Sequence, residues 1–521
     1  MSLVRNTLVQ SGWTLGSRLL GFARDVAILA RLGAGPVADA FVTAQQFPNL
    51  FRRVFAEGAF AQAFVPAYAR TLETEGEEAA RRVAEDTLRG LFAITVLTVV
   101  LAQVAMPWIM LVLHGGYRND PVHFPLAILL TQITMPYLSC MALAALLSGI
   151  LNSAGRFALT AAAPSLLNLC LLAAVWFGEH RYETVRALAV AITVAGLLQV
   201  VALWIGVSRQ GVRLRLGLPR LTPAVRKVAA LAVPGVIAGS GTQINILVTG
   251  ALASFEQGAK TWLYSADRLY QLPLGLVGVA VGLAILPRLS RAAGSDDSAS
   301  ARTTMDDGIG LAMALTLPAA AALVAIPVLL TDGLFARGGF TSEDAVQTGK
   351  ALIPFGWGVP AFVLIKVLAP AYFAREDTRS PMAFALVSVA LNTLLGAALF
   401  VWLLQRGADG FPGLAFATSL AAWVNAGLLA RGLWRRGWYR PGPRLISRLI
   451  RTGVSTAAMA ALLALAPGQM QALTALALGS PFLATVGVIL AGAMAYGLAA
   501  LATGAVAPSD LARLVRRGGR D

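Results

Sequence analysis

Charged residues, cysteine and histidine are all scarce in this sequence. Of its 521 residues, 13% are charged and 57% are apolar, whereas soluble domains carry about 25% charged residues. The composition excludes an ordinary soluble domain and predicts a membrane protein. Cys140 and Cys170 both lie in apolar runs, so a disulfide framework is excluded. The histidines, His114, His123 and His180, lack metal-ligand spacing, which excludes a common type of metal site.

Motifs of nucleotide hydrolysis are missing as well. The sequence has no Walker-type glycine loop, so we expect no ATPase. Because it shows neither a catalytic nucleophile nor a metal site, we also expect no cofactor and no enzymatic activity. Its formal net charge of +16 does not predict nucleic-acid binding, because the basic residues cluster in short stretches between apolar segments. A cleavable signal peptide is not expected either, since Arg18, Arg24 and Asp25 interrupt the first apolar stretch.

Long apolar segments dominate what is present. A membrane-spanning helix needs about 20 residues, and the sequence predicts fourteen such segments. Segments 1, 2 and 8 are the least apolar, and we keep them because the charge topology requires them. The predicted segments are 7–31, 36–66, 89–113, 125–151, 159–177, 185–207, 228–254, 262–288, 310–331, 350–373, 381–404, 411–433, 449–467 and 482–505.

Lysine and arginine are distributed unequally between alternate loops. Most of the 42 fall in the loops that are cytoplasmic if both termini are cytoplasmic, as the positive-inside rule requires. We therefore predict a multi-pass membrane protein with both termini in the cytoplasm. The loop 67–90 mixes acids and bases at helical spacing, which predicts a solvated cytoplasmic helix.

An internal repeat is visible at an offset of about 220 residues. Ala38-Asp39 recurs as Ala266-Asp267, and Asn168 recurs as Asn392. This offset spans six segments, which predicts two parallel six-helix halves with a substrate site between them. The predicted domains are an N-lobe (1–208, segments 1–6), a C-lobe (209–440, segments 7–12) and an appendage with the tail (441–521, segments 13 and 14).

Arginines inside the predicted segments are the most informative charges. An arginine at mid-bilayer costs about 2.5–3.5 kcal/mol if it faces lipid, so Arg18, Arg24, Arg52 and Arg268 must line water or pair with acids. Possible acidic partners are Asp25, Asp39, Glu57 and Asp267. For both Arg24 and Arg53, a structural ion pair or a snorkelling side chain near a helix end remains open. For Arg18, Arg52 and Arg268 we predict a shared anion-binding cavity.

The chemistry of the guanidinium group limits which substrates such a cavity can bind. Arginine stays charged at every relevant pH and presents paired donors that match phosphate oxygens. An arginine-lined cavity within the membrane therefore predicts a lipid-linked diphosphate. A cation or drug antiporter is the rival from another class, and it should have an acidic or aromatic cavity instead.

Several stretches resemble the MurJ (MviN) family of lipid II flippases within the multidrug/oligosaccharidyl-lipid/polysaccharide exporter superfamily. The resemblance covers essentially the whole chain, and the block 47–66 is its most specific part. The matching stretches are Ser17–Asp25 (SRLLGFARD), Ala38–Phe41 (ADAF), Phe47–Pro66 (FPNLFRRVFAEGAFAQAFVP), Tyr264–Arg268 (YSADR) and Lys366–Pro370 (KVLAP).

The resemblance implies an all-α membrane protein of fourteen helices, in which two six-helix lobes form a V-shaped central cavity. Helices 13 and 14 would form a groove for the undecaprenyl tail. The cavity residues implied by the family motifs are Arg18, Arg24, Asp39, Asn49, Arg52, Glu57 and Arg268. Some members bind sodium through acids of the C-lobe, but segments 11 and 12 carry Asn392 and Asn425 and no acid.

The expected function is translocation of lipid II from the cytoplasmic to the periplasmic leaflet by alternating access. Its partners would be lipid II and membrane lipids, with no nucleic acid, and the chain would act as a monomer. Dependence on the membrane potential or on a monovalent cation is an added expectation. A flippase for another polyprenyl-diphosphate oligosaccharide is the nearest alternative, and only the block 47–66 disfavours it.

Overall fold

The chain is built almost entirely of α-helices. The computed structural model describes residues 3–55, 59–215, 217–219, 222, 226, 230, 245–284 and 298–505. Residues 245–253 are also helical. In chain order the helices are α1 (Leu3–Leu32), α2 (Pro36–Phe55), α3 (Ala59–Glu75), α4 (Glu77–Leu113), α5 (His123–Thr134), α6 (Tyr137–Ser153), α7 (Phe157–Ala174), α8 (Arg181–Ser208), α9 (Ala259–Ala284), α10 (Ser298–Ala325), α11 (Pro327–Phe335), α12 (Ser342–Phe373), α13 (Arg379–Gln405), α14 (Phe411–Arg435), α15 (Pro443–Leu463), α16 (Met470–Leu476) and α17 (Pro481–Ala502).

Ten helical segments of the described chain are long and apolar enough to cross a membrane. They coincide with predicted segments 3–6 and 9–14, so the multi-pass membrane class is confirmed. Helices α1, α2 and α9 fall outside these ten, as expected from the low apolarity of segments 1, 2 and 8. Predicted segment 7 lies mostly outside the described residues. The total of fourteen spans therefore stays a prediction.

Local residues explain where several helices break. Gly76 separates α3 from α4 with a φ of 86°, a conformation that glycine adopts without steric cost. The predicted cytoplasmic helix over 67–90 is thus two helices that meet at this glycine. Predicted segment 9 is divided between α10 and α11, and Pro327 starts the second helix, where its missing N–H costs nothing.

The first compact unit comprises Met1–Thr261. In it α1 packs on α7, α7 on α8, α2 on α5, and α6 on both α4 and α8. Two separate apolar clusters fill its interior: one includes Met110, Leu130 and Leu188, and the other includes Phe64 and Leu147. The first cluster includes Ile28 of α1 and Phe41 of α2, the helices that carry the intramembrane charges of this unit.

The second compact unit comprises Trp262–Asp521. Its pairings α10 with α12, α12 with α14 and α13 with α14 correspond to α4 with α6, α6 with α8 and α7 with α8 of the first unit. These are the pairings that the predicted internal repeat requires. Helices α15 and α17 pack on each other and against α10 and α11, outside the repeated set. The predicted domain limits at 208 and 440 stay predictions.

Candidate functional site

Arg24 is held by a buried polar network on α1 and α7. Its Nε and Nη2 donate to Asp25 Oδ1 at 3.0 and 2.6 Å, and its Nη1 donates to Asn168 Oδ1 at 2.8 Å. Asn168 in turn donates from Nδ2 to the carbonyl of Ser17 at 3.0 Å. Both charged side chains are nearly inaccessible, at 8% and 3% exposure. The predicted pairing of an intramembrane arginine with Asp25 is confirmed for Arg24.

Asn168 packs against α1 at Gly21. A Cβ at Gly21 would lie 3.6 Å from Asn168 Nδ2, within van der Waals contact. The network therefore fixes the rotation of α1 against α7 through one arginine and one amide. Burying an ion pair is stabilising only when its remaining donors are also satisfied, and the Asn168 bond satisfies one of them.

Arg18 lies on the same helix in a contrasting environment. Its side chain is exposed, and it makes no hydrogen bond or ion pair with another described residue. Because α1 turns about 100° per residue, the six positions between Arg18 and Arg24 separate the two side chains by roughly 120° around the helix. The structure thus assigns these two arginines to different faces of α1.

Asp39 lies at the start of α2 and is completely buried. Its Oδ2 accepts hydrogen bonds from the Tyr117 hydroxyl at 2.7 Å and from the backbone N–H of Gly258 at 2.8 Å. Its Oδ1 accepts from the backbone N–H and the hydroxyl of Thr261 at 2.9 and 2.6 Å. Since Thr261 is in the first turn of α9, the carboxylate caps that helix and faces the positive end of its dipole.

Lys260 supplies the cation of the same cluster and is 3% exposed. Its Nζ donates to the hydroxyl of Thr43 at 2.8 Å and to the carbonyl of Leu113 at 2.7 Å, and lies 3.2 Å from Nδ1 of His114. We call Asp39, Thr43, His114, Tyr117, Lys260 and Thr261 the Asp39 cluster. It joins the start of α2, the loop after α4 and the start of α9, all within the first unit.

Next to this cluster, the backbone of the loop after α4 lies in close contact with residues 254 and 255. The N–H of Gly116 donates to the hydroxyl of Ser254 at 3.0 Å. A Cβ at Gly116 would lie 2.0 Å from the Ser254 carbonyl oxygen, far inside the distance that atoms tolerate. Only glycine permits the loop after α4 to lie against residues 254 and 255.

The structure corrects one expectation about Asp39. It was predicted as an available partner for an intramembrane arginine, but its described partners are Tyr117, Gly258 and Thr261. The physical reason is that four directed donors, three of them at the start of α9, can satisfy a buried carboxylate as well as a guanidinium does. Its predicted contact with substrate stays a prediction.

Arg268 lies on α9 within the second unit and is half-buried. Its guanidinium carbon lies 4.4 Å from the centre of the Tyr264 ring, one helical turn earlier, a favourable cation–π distance. The neighbouring Asp267 accepts a hydrogen bond from Gln271. Tyr264, Asp267 and Arg268 belong to the stretch that carries the family resemblance.

The remaining predicted residues are only partly described. Asn49 is partly exposed on α2, and Arg52 belongs to the same helix, but its side chain lies outside the described residues, as does all of Glu57. The structure brings Arg24 together with Asp25 and Asn168. A shared cavity that contains Arg18, Arg52 and Arg268 stays a prediction.

Metal binding has no support in the described ranges. There, no three His, Cys, Asp or Glu side chains form a group that could hold a metal ion. The expectation that the chain needs no cofactor stays a prediction.

Sequence reasoning did not predict the roles of Lys260, His114 and Tyr117. A weak signal was available: Lys260 is a single lysine two residues before a predicted span, and His114 directly follows another. Their meeting with Asp39 could not be anticipated, because these residues are separated by more than 70 positions along the chain.

Comparison with known proteins places these residues in a family context. A family model described as "Lipid II flippase MurJ" matches residues 28–487. The chain belongs to the MurJ family. The matched residues include Asp39, Lys260 and Arg268, whereas Arg18 and Arg24 precede them.

Relatives of the MurJ family match over most of the chain. The "Probable lipid II flippase MurJ" of Rhizobium meliloti (strain 1021) is 41% identical and covers 99% of this chain and 97% of its own length. The "Lipid II flippase MurJ" of Burkholderia cenocepacia is 37% identical and covers 85% of this chain and 86% of its own. The family resemblance predicted from the motifs is thereby confirmed.

Solved structures confirm the fold. One described as "Lipid II flippase MurJ, inward closed conformation" has a TM-score of 0.79 at 22% identity, covering 95% of this chain and 98% of its own. An inward-facing multidrug resistance MATE family transporter has a TM-score of 0.63 at 14% identity, covering 85% and 99%. MurJ and this multidrug exporter share one helical architecture, so fold alone does not separate lipid from drug transport.

Proposed function

We propose that this chain translocates lipid II from the cytoplasmic to the periplasmic leaflet of the bacterial inner membrane. The observation that carries the proposal is the match to proteins named lipid II flippases along nearly the whole chain. The chain acts as a transporter and not as an enzyme. The chain crosses the membrane several times, and the distribution of Lys and Arg predicts that both termini lie in the cytoplasm.

In the proposed mechanism the diphosphate of lipid II contacts Arg18, Arg52 and Arg268. The exposure of Arg18 and its freedom from described partners support this role, because a guanidinium that faces lipid would be costly. Arg24 serves instead to position α1, since Asp25 and Asn168 engage its guanidinium. Asn49 and Glu57 are assigned to the same cavity through the family motifs alone.

Alternating access requires contacts that form in one state and break in another. The Asp39 cluster is suited to that requirement, because it holds the start of α9, the helix that carries Arg268, against α2. We propose that transport releases these bonds and that their donors are then satisfied by water. The proposed transporter is a monomer that needs no cofactor.

The test uses a depletion strain in which this chain is the only lipid II flippase. Cells that flip lipid II expose it to an externally added toxin that degrades it. Arg18→Ala, Arg52→Ala and Arg268→Ala should insert normally and leave lipid II protected from the toxin. Arg118→Ala is the matched control, because Arg118 is exposed in a predicted periplasmic loop and should rescue fully. Full rescue by all three cavity variants would refute the site.

The same assay separates the alternatives. If the protein instead restored an oligosaccharide pathway that uses another polyprenyl diphosphate, lipid II would stay inaccessible in complemented cells. A drug antiporter would confer export of cationic dyes, and its activity should survive neutralisation of the arginines. Dye export is not expected from an arginine-lined cavity, because such a cavity repels cations, and the block 47–66 disfavours the other polyprenyl-diphosphate substrate.

The membrane potential is the proposed energy source. An empty cavity with net positive charge is driven toward the cytoplasm by an inside-negative potential, at about 2.3 kcal/mol per charge per 100 mV. Proteoliposomes with a potassium gradient and valinomycin should therefore flip lipid II faster when the potential is imposed. A rate that is independent of the potential would eliminate this energy source and leave the substrate assignment intact.

A further inference from the structure

A cleft of about 480 Å³ lies where α15 begins and the chain leaves α17. Arg444, Ser447, Arg448 and Arg451 line it from α15, and Gly504 and Ala505 line it from the segment after α17. Nη1 of Arg451 lies 3.4 Å from the Gly504 carbonyl oxygen. Gly504 turns the chain with a φ of 68°, and buried Ala505 completes the wall. We call this site the arginine cleft; it belongs entirely to the second unit.

Some arginines in other predicted cytoplasmic segments are paired with acids. Elsewhere Arg82 pairs with Glu78, Arg89 with Glu85, and Arg436 with Asp377. Arg444, Arg448 and Arg451 form no ion pair with any acid that the structure describes. Asp306 is close in the fold, but its carboxylate accepts from the Tyr439 hydroxyl at 2.5 Å and the Gly442 N–H at 3.2 Å.

Arg448 is fixed by packing although one of its donors is unused. Its Cδ lies 3.1 Å from the Cβ position of Gly310, so the side chain lies flat against α10. Its Nε is buried and lacks a hydrogen-bond partner among the described residues. A buried donor without a partner is costly, and the side chain that carries it lines the cleft.

Around the axis of α15 the cleft lies between a packed face and an apolar face. Leu445, Thr452 and Met459 are buried against neighbouring helices. Ile446, Ile450 and Val454 are 50–63% exposed and form an adjacent stripe. At 100° per residue the arginines occupy the angular range between these two faces. An amphiphile with an anionic head and apolar chains matches this arrangement.

We propose that the arginine cleft binds the phosphate headgroup of an anionic phospholipid, whose acyl chains lie along the exposed apolar faces of α15 and α17. Arginine recognises phosphate through paired, charge-assisted hydrogen bonds. The charge topology predicts that this end of α15 is cytoplasmic, where anionic lipid attracts basic segments. The site uses none of the arginines assigned to the diphosphate of lipid II, but α15 and α17 are also the helices to which the family resemblance assigns the undecaprenyl tail.

Native mass spectrometry of the delipidated full-length protein in detergent tests the proposal with phosphatidylglycerol as the probe. We expect more phosphatidylglycerol than phosphatidylcholine to bind. Replacing Arg444, Arg448 and Arg451 by Gln should weaken phosphatidylglycerol binding about a hundredfold, or about fivefold for each arginine near an anionic surface. The charge-matched control replaces Arg209, Arg213 and Arg215, which are exposed in another predicted cytoplasmic loop, and should change binding little.

Two conservative lysine variants control for the possibility that the triple variant loses binding through misfolding. Arg448→Lys keeps the charge and loses the buried Nε donor, so it should weaken binding more than Arg213→Lys does. Equal losses in the cleft and control triple variants would mean that general surface charge attracts the lipid, and would overturn the proposal. Equal effects of the two lysine variants would do the same.

Competition experiments against bound phosphatidylglycerol identify which kind of molecule supplies the phosphate group. Inorganic phosphate at millimolar concentration should displace phosphatidylglycerol only weakly, because it lacks acyl chains. Undecaprenyl diphosphate should compete no better than phosphatidylglycerol itself. Complete displacement by inorganic phosphate would overturn the assignment to a lipid, and tenfold stronger competition by undecaprenyl diphosphate would overturn the assignment to phospholipid.

Discussion

The carboxylate of Asp39 caps the first turn of α9 through Thr261. Oδ1 accepts from the backbone N–H of Thr261 at 2.9 Å and from its hydroxyl at 2.6 Å, across 222 positions of the chain. Both residues are completely buried, so water cannot replace either bond while the contact stands. A transporter that moves α9 must break a contact that holds the helix start to α2.

Removing the Thr261 hydroxyl should weaken this contact. Thr261→Val keeps the shape of the side chain and deletes one bond to a charged acceptor, which contributes about 1.5–3 kcal/mol. We expect a lower thermal unfolding midpoint in detergent micelles. Thr98→Val is the control, because its exposed hydroxyl bonds only to the Ile94 carbonyl of its own helix. Equal midpoints for the two variants would contradict the cap.

Asp39 and Lys260 should show energetic coupling. Lys260→Met removes the cation of the Asp39 cluster and leaves a buried carboxylate, at a cost of about 3–5 kcal/mol. The double variant Asp39→Asn with Lys260→Met should cost less than the sum of the single variants by about 1–3 kcal/mol. Unfolding midpoints of the four proteins measure the coupling. Additive losses would mean that the two charges act independently.

Adjacent glycines offer a direct test of the loop contact. Gly116→Ala places a Cβ 2.0 Å from the Ser254 carbonyl oxygen, whereas a Cβ at Gly115 meets nothing within 4 Å. Forced overpacking costs about 1–3 kcal/mol and displaces backbone. Gly116→Ala should lower the unfolding midpoint and slow lipid II flipping in proteoliposomes, and Gly115→Ala should do neither. A normal Gly116→Ala protein would show that the loop is not held there.

Arg18 and Arg24 should respond differently to substitution. Arg24→Lys and Asn168→Leu each break the network of α1 and α7, so both should lower the unfolding midpoint. Arg18→Ala removes an exposed side chain with no described partner, so it should abolish rescue in the depletion strain at an unchanged midpoint. A destabilised Arg18→Ala protein would instead indicate a structural role.

The ion pair of Asp377 with Arg436 predicts a pH dependence. Ser380 donates to Asp377 from its side chain and backbone, and Arg436 donates to it as well, which together hold the pKa of Asp377 well below its usual 3.8. Stabilisation by a depressed acid is present above the usual pKa and is lost as pH falls through the lowered one. The difference between the unfolding midpoints of wild type and Asp377→Asn should therefore stay constant from pH 5 to pH 8. It should shrink as the pH falls below the usual pKa of 3.8 toward the lowered one. A difference that disappears between pH 5 and pH 8 would contradict this assignment.

Composition and local pattern alone determined the class of this protein and most of its helices. Ten of the predicted spans recur because a bilayer-length apolar run has few alternatives to a helix. The cost of burying arginine predicted a partner for Arg24, and Asp25 is its neighbour in sequence. The 47–66 block and the other motifs indicated the family, which the match over residues 28–487 confirms.

Only the tertiary structure decided which polar groups meet. Asn168 reaches Arg24 across 144 positions, and Lys260 reaches His114 across 146. No local pattern encodes such pairs, because helical periodicity specifies the face of a residue and not the helix that packs against it. Asp39 was therefore assigned to a cavity by sequence, whereas packing of α2 against the start of α9 surrounds it with protein donors.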